Sequence, residues 1–162
     1  MTDSISADDF RKASGLWATG VSIVTTLDPS GKAHGLTMNS VTSLSLDPPF
    51  YIVNMDKGSD TLVALEDSRM FCINVLSSEQ QDLSNKFAKK GPDKFDDVSY
   101  TPGFDKVPCL DGALMSIQCS VYEIFDGGDH KIVVGKVEKI IHGDPESIRP
   151  LIFYRGRYAE IT

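Results

Sequence analysis

Between Gly35 and Pro49 the chain reads GLTMNSVTSLSLDPP, a stretch dense in groups able to orient a flat heterocycle. Thr37, Asn39 and Ser40 stand close together, and Thr42, Ser43 and Ser45 follow. A purely structural strand needs one apolar face, not this many hydrogen-bonding side chains. A ring with a polar edge and an apolar body does need them, because a few polar groups must fix it against an apolar wall. An edge strand with a Ser/Thr-rich solvent face is the alternative. Lys57, Ser59 and Thr61 lie just past the next strand end, where a phosphate could meet hydroxyls and the free amides of a helix start. Asp60 between them is expected to point away from such an anion; a solvated turn is the alternative.

Other machinery is missing. No G-x-G-x-x-G opens a βαβ unit, no P-loop is present and no G-x-S-x-G elbow occurs. His34, His130 and His142 do not cluster with cysteines at metal spacing, so no metal site is expected. Any nicotinamide must be handled without the usual nucleotide-binding unit. The net charge of −7 argues against nucleic-acid binding, and a phosphorylated ligand would require donors concentrated locally. Cys72, Cys109 and Cys119 are odd in number and unpaired in spacing, which suits a reducing cytosol. The polar, acidic start lacks a signal peptide's apolar core, and no apolar run reaches membrane-spanning length. A soluble, cytoplasmic protein is expected, with no membrane partner.

The elements that must position these residues are mostly strands. Ser6 and Asp9 mark a helix start with Phe10, Ala13 and Trp17 on one face; Gly15 weakens the helix and Gly20 ends it. Trp17 reads as packing in a core or a dimer interface. Strands are expected at Val21 to Leu27, through the Thr37–Ser45 block until Pro48-Pro49, at Phe50 to Met55 and at Phe71 to Leu76, with a turn at Asp28-Pro29-Ser30-Gly31. A short helix opens near Asp60 and runs through Leu65. Ser78 with Gln81 caps a second helix that Gly91-Pro92 ends. Asp93 to Asp111 reads as a long surface loop. Met115, Ile117, Cys119 and Val121 alternate with Ser116, Gln118 and Ser120, the pattern of a half-buried strand. Asp126-Gly127-Gly128-Asp129 turns into His130–His142 and then Leu151–Tyr158. One domain over 1–162, all-β or β-dominated, follows.

Five motifs occur in order: Ala18 to Thr26, the Gly35–Pro49 block, Phe71 to Leu76 with Gln80 and Phe87-Ala88, Gly128-Asp129-His130, and Tyr154 to Tyr158. In this order, over roughly Phe10 to Ile161, the chain resembles the short-chain flavin reductases, the reductase components of two-component flavin monooxygenases. The resemblance implies a mainly β split β-barrel, Greek-key and FMN-binding, with two or three inserted helices. It implies hydride transfer from NADH or NADPH to FMN, with FAD possible, in a homodimer that supplies a separate oxygenase. Thr37, Met38, Asn39 and Ser40 match the family's flavin-contacting strand, and Ser59 and Thr61 match its usual hydroxyl residues, beside Lys57. Lys86 and Phe87 match the region that closes over the phosphate or outer flavin; Lys86, Lys89 and Lys90 equally suit a solvated helix end. His130 matches a histidine beside flavin and nicotinamide, and is the candidate catalytic residue. Tyr154 and Arg157 match a segment near the cofactor, with a structural salt bridge as the alternative for Arg157. Two rivals remain: a flavin carrier on the same barrel without free-flavin turnover, and a barrel that has lost the cofactor.

Overall fold

The computed structural model describes residues 4–91, 93–144 and 148–161. In chain order the elements are α1 (Ala7–Ser14), β1 (Thr19–Gly20), β2 (Ser22–Leu27), β3 (Ala33–Met38), β4 (Val41–Leu46), β5 (Pro49–Asp56), α2 (Asp60–Ser68) and β6 (Met70–Val75). There follow α3 (Gln81–Ala88), β7 (Tyr100–Pro102), β8 (Pro108–Leu110), β9 (Met115–Gly127), β10 (His130–His142), β11 (Ile152–Tyr154) and β12 (Arg157–Ala159).

Seven strands form one antiparallel sheet in the order β3-β2-β6-β9-β10-β5-β4. Its two edge strands are consecutive in the chain, joined only by Asn39 and Ser40. Laid flat, six interstrand gaps would separate those edges by about 29 Å. Three peptide steps reach at most about 11 Å. The sheet therefore curls into a barrel, split between β3 and β4. This is the expected mainly β split barrel, with three helices.

One core fills the barrel, with Val24, Met38, Val53, Phe71, Ile73, Ile117, Cys119 and Val133 among its residues. A second, with Val21, Ile23, Leu76, Phe87, Leu110 and Leu151, lies on another face. Adjacent Ile23 and Val24 thus serve different cores, which accounts for a run on β2 that is apolar on both faces. Buried Asn74 on β6 joins the layers. Its Nδ2 donates to the Ile23 carbonyl (3.1 Å) and Thr25 Oγ1 (3.0 Å). Its Oδ1 accepts from the Leu110 amide (2.8 Å) and Ser116 Oγ (3.0 Å).

Several local expectations hold. Ser6 caps α1 by accepting from the Asp9 amide, and Asp28 folds the following turn by accepting from the Ser30 and Lys32 amides. Others need correction. The Thr37–Ser45 block is not one strand; Asn39 and Ser40 make the corner between β3 and β4. The strand does stop before Pro48-Pro49, but Pro49 itself already starts β5, the place where a missing N–H is tolerated. The capping pair is Ser77 with Gln80, one residue earlier than Ser78 with Gln81. The 93–111 loop carries the β7–β8 hairpin. Ser116 and Gln118 are buried, not solvent-facing, because β8 and the Gly103–Phe104 loop cover that side of β9. Trp17 lies beyond the end of α1 and is 78% exposed, so it is not a core residue. Pro92, expected to help end the second helix, lies outside the described residues.

Asn74→Ala should strand several buried partners at once. At roughly 1–3 kcal/mol for each buried group left unpaired, the loss should be on the order of 3 kcal/mol, read as a lower urea midpoint at unchanged slope.

Candidate functional site

The site is built where β3 meets α3. A Cβ at Gly35 would lie 2.6 Å from the Phe87 ring, so only glycine lets the strand and helix approach this closely. Phe87 is fully buried and meets Phe95 edge to face, with ring centroids 5.0 Å apart. Above this contact the Lys94 ammonium donates to the carbonyls of Gly35 (3.0 Å) and Phe87 (3.2 Å). Burial lowers the Lys94 pKa, while the negative charge of Asp60 acts to raise it. Further along the seam, Thr37 Oγ1 donates to the Ser84 carbonyl at 2.7 Å.

Beside the seam opens a cleft of about 450 Å³, walled by β3, the start of α2 and the chain following α3. Lys32, Lys89, Lys90 and Lys94 line it, against Asp56 and Asp60. Four lysines against two aspartates make a locally positive hollow on a chain of net charge −7. Ser59 and Thr61 also line it. Ser59 is the residue before α2, and its side chain makes no capping bond, leaving its hydroxyl beside the free amides of the helix start. Hydroxyl, helix amides and ammonium groups together suit a phosphate. Asp60, expected to point away, lines the cleft instead.

Four residues along β3 from Gly35, Asn39 lines a second cleft of about 250 Å³ with Phe10, Trp17, Phe153 and Gly156. At about 3.3 Å per residue, the two clefts are roughly 13 Å apart along the strand. Ser40 Oγ accepts from Asn54 Nδ2 at 2.7 Å, tying the corner to β5. Met38, by contrast, packs inside the barrel.

His130 pairs with Asp56 in the β5–β10 ladder, at the strand end that feeds the cleft. Its Nδ1 lies 2.7 Å from Asp129 Oδ1, and this partner pulls the Asp129 pKa down. Lys57 is bound instead to Asp126, 2.8 Å away, so its ammonium is turned toward the β9–β10 turn. Lys86 donates to the Asp96 carbonyl and holds the 93–96 segment on α3. Tyr154 and Arg157 stand on the β11–β12 hairpin; the guanidinium over the Tyr154 ring is that of Arg155, 5.2 Å from its centroid. Tyr158 ties the hairpin to α3, its hydroxyl 2.8 Å from Ser84 Oγ and 3.0 Å from Asn85 Oδ1.

The structure thus gathers Ser59 and Thr61 in the first cleft and sets Phe87 under it. His130 lies at the neighbouring strand end, Asn39 in the second cleft, and Lys57 on a carboxylate. Sequence reasoning missed Lys32, His34 and Lys94, all of which line the first cleft. Only the length of the 93–111 segment, a length often found bordering function, pointed near Lys94.

Residues 14–162 match the model of a flavin reductase like domain. The reductase subunit HsaB of a flavin-dependent monooxygenase from Mycobacterium tuberculosis is 37% identical over 161 residues, 99% of this chain and 86% of that protein. SmoA of Agrobacterium fabrum, an FMN reductase (NADH), is 37% identical over 94% of this chain and 85% of its own. Among solved structures, a homologue of nitrilotriacetate monooxygenase component B from Mycobacterium thermoresistibile superposes with a TM-score of 0.91 at 39% identity, over 96% of this chain and 86% of that one.

Gly35→Ala should force the Phe87 ring away and widen the β3–α3 seam. Overpacking of this kind costs about 1–3 kcal/mol, measured as a lower thermal midpoint than that of a Gly20→Ala control, where a Cβ meets nothing and the backbone is not left-handed.

Proposed function

We propose a function on one premise: the chain belongs to the flavin reductase-like family. It is an NADH-dependent flavin reductase that supplies reduced flavin to a monooxygenase component. The observation that carries the placement of the flavin is the lysine-walled cleft beside the β3–α3 seam. Its unengaged Ser59 hydroxyl, helix-start amides and half-buried Lys94 ammonium fit the phosphate end of a flavin. The ring then extends along β3 toward Asn39 and Ser40. FMN, with its single phosphate, is the flavin that this arrangement calls for, and FAD is the alternative.

Bound flavin supplies the redox chemistry, accepting hydride from the nicotinamide. The chain's residues position and do not react. Asn39 offers both a donor and an acceptor to a polar ring edge. Lys89, Lys90 and Lys94 would neutralise the phosphate, and the Ser59 hydroxyl would donate a hydrogen bond to it. His130, held through Nδ1 by Asp129 at the strand end beside the first cleft, would offer its second ring nitrogen to the nicotinamide coenzyme. Steady-state oxidation of NADH and NADPH with FMN, FAD and riboflavin as acceptors tests the function. Turnover with none of the acceptors would refute it, and a flavin carrier would bind flavin without such turnover.

Asn39→Ala and His130→Ala should separate. A lost hydrogen bond that leaves a desolvated partner costs roughly 1–3 kcal/mol, so flavin affinity should fall about tenfold in Asn39→Ala, given ~1.4 kcal/mol per factor of ten. His130→Ala should keep flavin affinity and lose turnover with NADH. Wild-type affinity and kinetics in both variants would put the site elsewhere.

A homodimer is the second part of the reading. Supporting it are the exposed apolar side chains of Phe10, Leu16 and Trp17 around the second cleft, and of Leu44, Leu46 and Tyr122 on β4 and β9. A partner subunit over the second cleft would close the ring site. Light scattering should give twice the chain mass of 17.7 kDa, and a monomer at micromolar concentration would contradict it.

A further inference from the structure

The outer face of the barrel holds a pair of thiols that the flavin chemistry does not use. Cys72 on β6 and Cys109 on β8 are 37 residues apart in sequence, yet their sulfurs lie 3.8 Å apart. Both are buried, with Val107 packed against them. The third thiol cannot join them. Cys119 belongs to the core inside the barrel, on the opposite face of the sheet, and burial pushes its pKa up to about 12.

A second observation marks the same place. Gln118 is the ladder partner of Cys72 on β9, so both side chains leave the same face of the sheet. Gln118 is fully buried. Its Oε1 accepts from the Phe104 amide, but its Nε2 has no hydrogen-bond partner. A Cβ at Gly103 would lie 2.5 Å from both Cys109 Sγ and Gln118 Oε1, so sulfur and amide are near neighbours. A buried amide donor without an acceptor is a standing cost. An oxygen added to Cys109 would give it one.

We propose that Cys72 and Cys109 form a peroxide-responsive dithiol, with Gln118 receiving the oxygen of the intermediate. Hydrogen peroxide is the oxidant, the product of reduced flavin meeting dioxygen. The Cys109 sulfur attacks peroxide, the O–O bond breaks, and Cys109 becomes a sulfenic acid as one water leaves. The Cys72 sulfur then attacks Cys109, the S–O bond breaks, and a second water leaves with the Cys72 proton. Two thiols are oxidised to one disulfide, and one peroxide is reduced to two waters. The order follows from the pair itself. The Cys72 thiol lies within reach of Asn74 Oδ1 (3.6 Å) and of the Cys109 sulfur (3.8 Å); its hydrogen bond to Cys109 lowers the Cys109 pKa, while burial raises that of Cys72.

The bond would close a loop that carries α3 and Lys94, and so fix the wall of the lysine cleft to the barrel. The proposal does not rest on the flavin reading, because peroxide can be added directly.

The test treats the folded protein with hydrogen peroxide, then denatures it, alkylates it and maps its peptides. Free thiols should fall from three to one, the mass should drop by two hydrogens, and Cys72 should be linked to Cys109 within one chain. Dithiothreitol should restore all three. Cys119→Ser should form the same bond. Cys72→Ser should stop at a Cys109 sulfenic acid that dimedone captures. Three thiols surviving, a bond that includes Cys119, or a link between chains would overturn the proposal. Loss of dimedone capture in Cys72→Ser would overturn the assigned order.

Discussion

Everything at the site depends on how closely β3 can approach α3. Phe87 occupies the space that any side chain at position 35 would need. That contact lets one lysine bridge two backbone carbonyls from different elements, Gly35 and Phe87. With the seam closed, the chain after α3 sets Lys89, Lys90 and Lys94 opposite the start of α2. Positive charge is thereby concentrated on a surface that is otherwise negative. The barrel makes this possible through the two-residue link at Asn39 and Ser40, which forces the sheet to close.

Strand β3 runs from one cleft to the other. Gly35 belongs to the positive one and Asn39 to the aromatic one. A ligand with a phosphate at one end and a flat ring at the other needs both, connected by a rigid strand. Helix α3 is held to that strand by Thr37 and to the terminal hairpin by Tyr158. The walls of the proposed site therefore rest on hydrogen bonds between elements far apart in sequence.

What the sequence disclosed was local chemistry. The Asp28 turn, the Ser6 cap and the Asp126–Asp129 turn are set by residues within a few positions of one another, so spacing reveals them. The place of Ser59 and Thr61 at a helix start was legible for the same reason, since a strand end followed by hydroxyls and a helix is a local signal. Lys94 was not legible, because its partner Gly35 is 59 residues away. Gln118 was misread as solvent-facing: alternation along β9 is real, but a distant hairpin covers the polar side. The break at Asn39 was hidden by the continuity of the polar block, which looked like one strand.

The central claim is that the lysine cleft holds the phosphate. Dissociation constants of riboflavin and FMN, measured side by side at rising salt, test it most directly. Riboflavin lacks the phosphate and shares the ring. FMN should bind at least about tenfold tighter at low salt, worth ~1.4 kcal/mol, and the gap should narrow as salt screens the ammonium groups. Equal affinities for the two flavins at low salt would contradict the account.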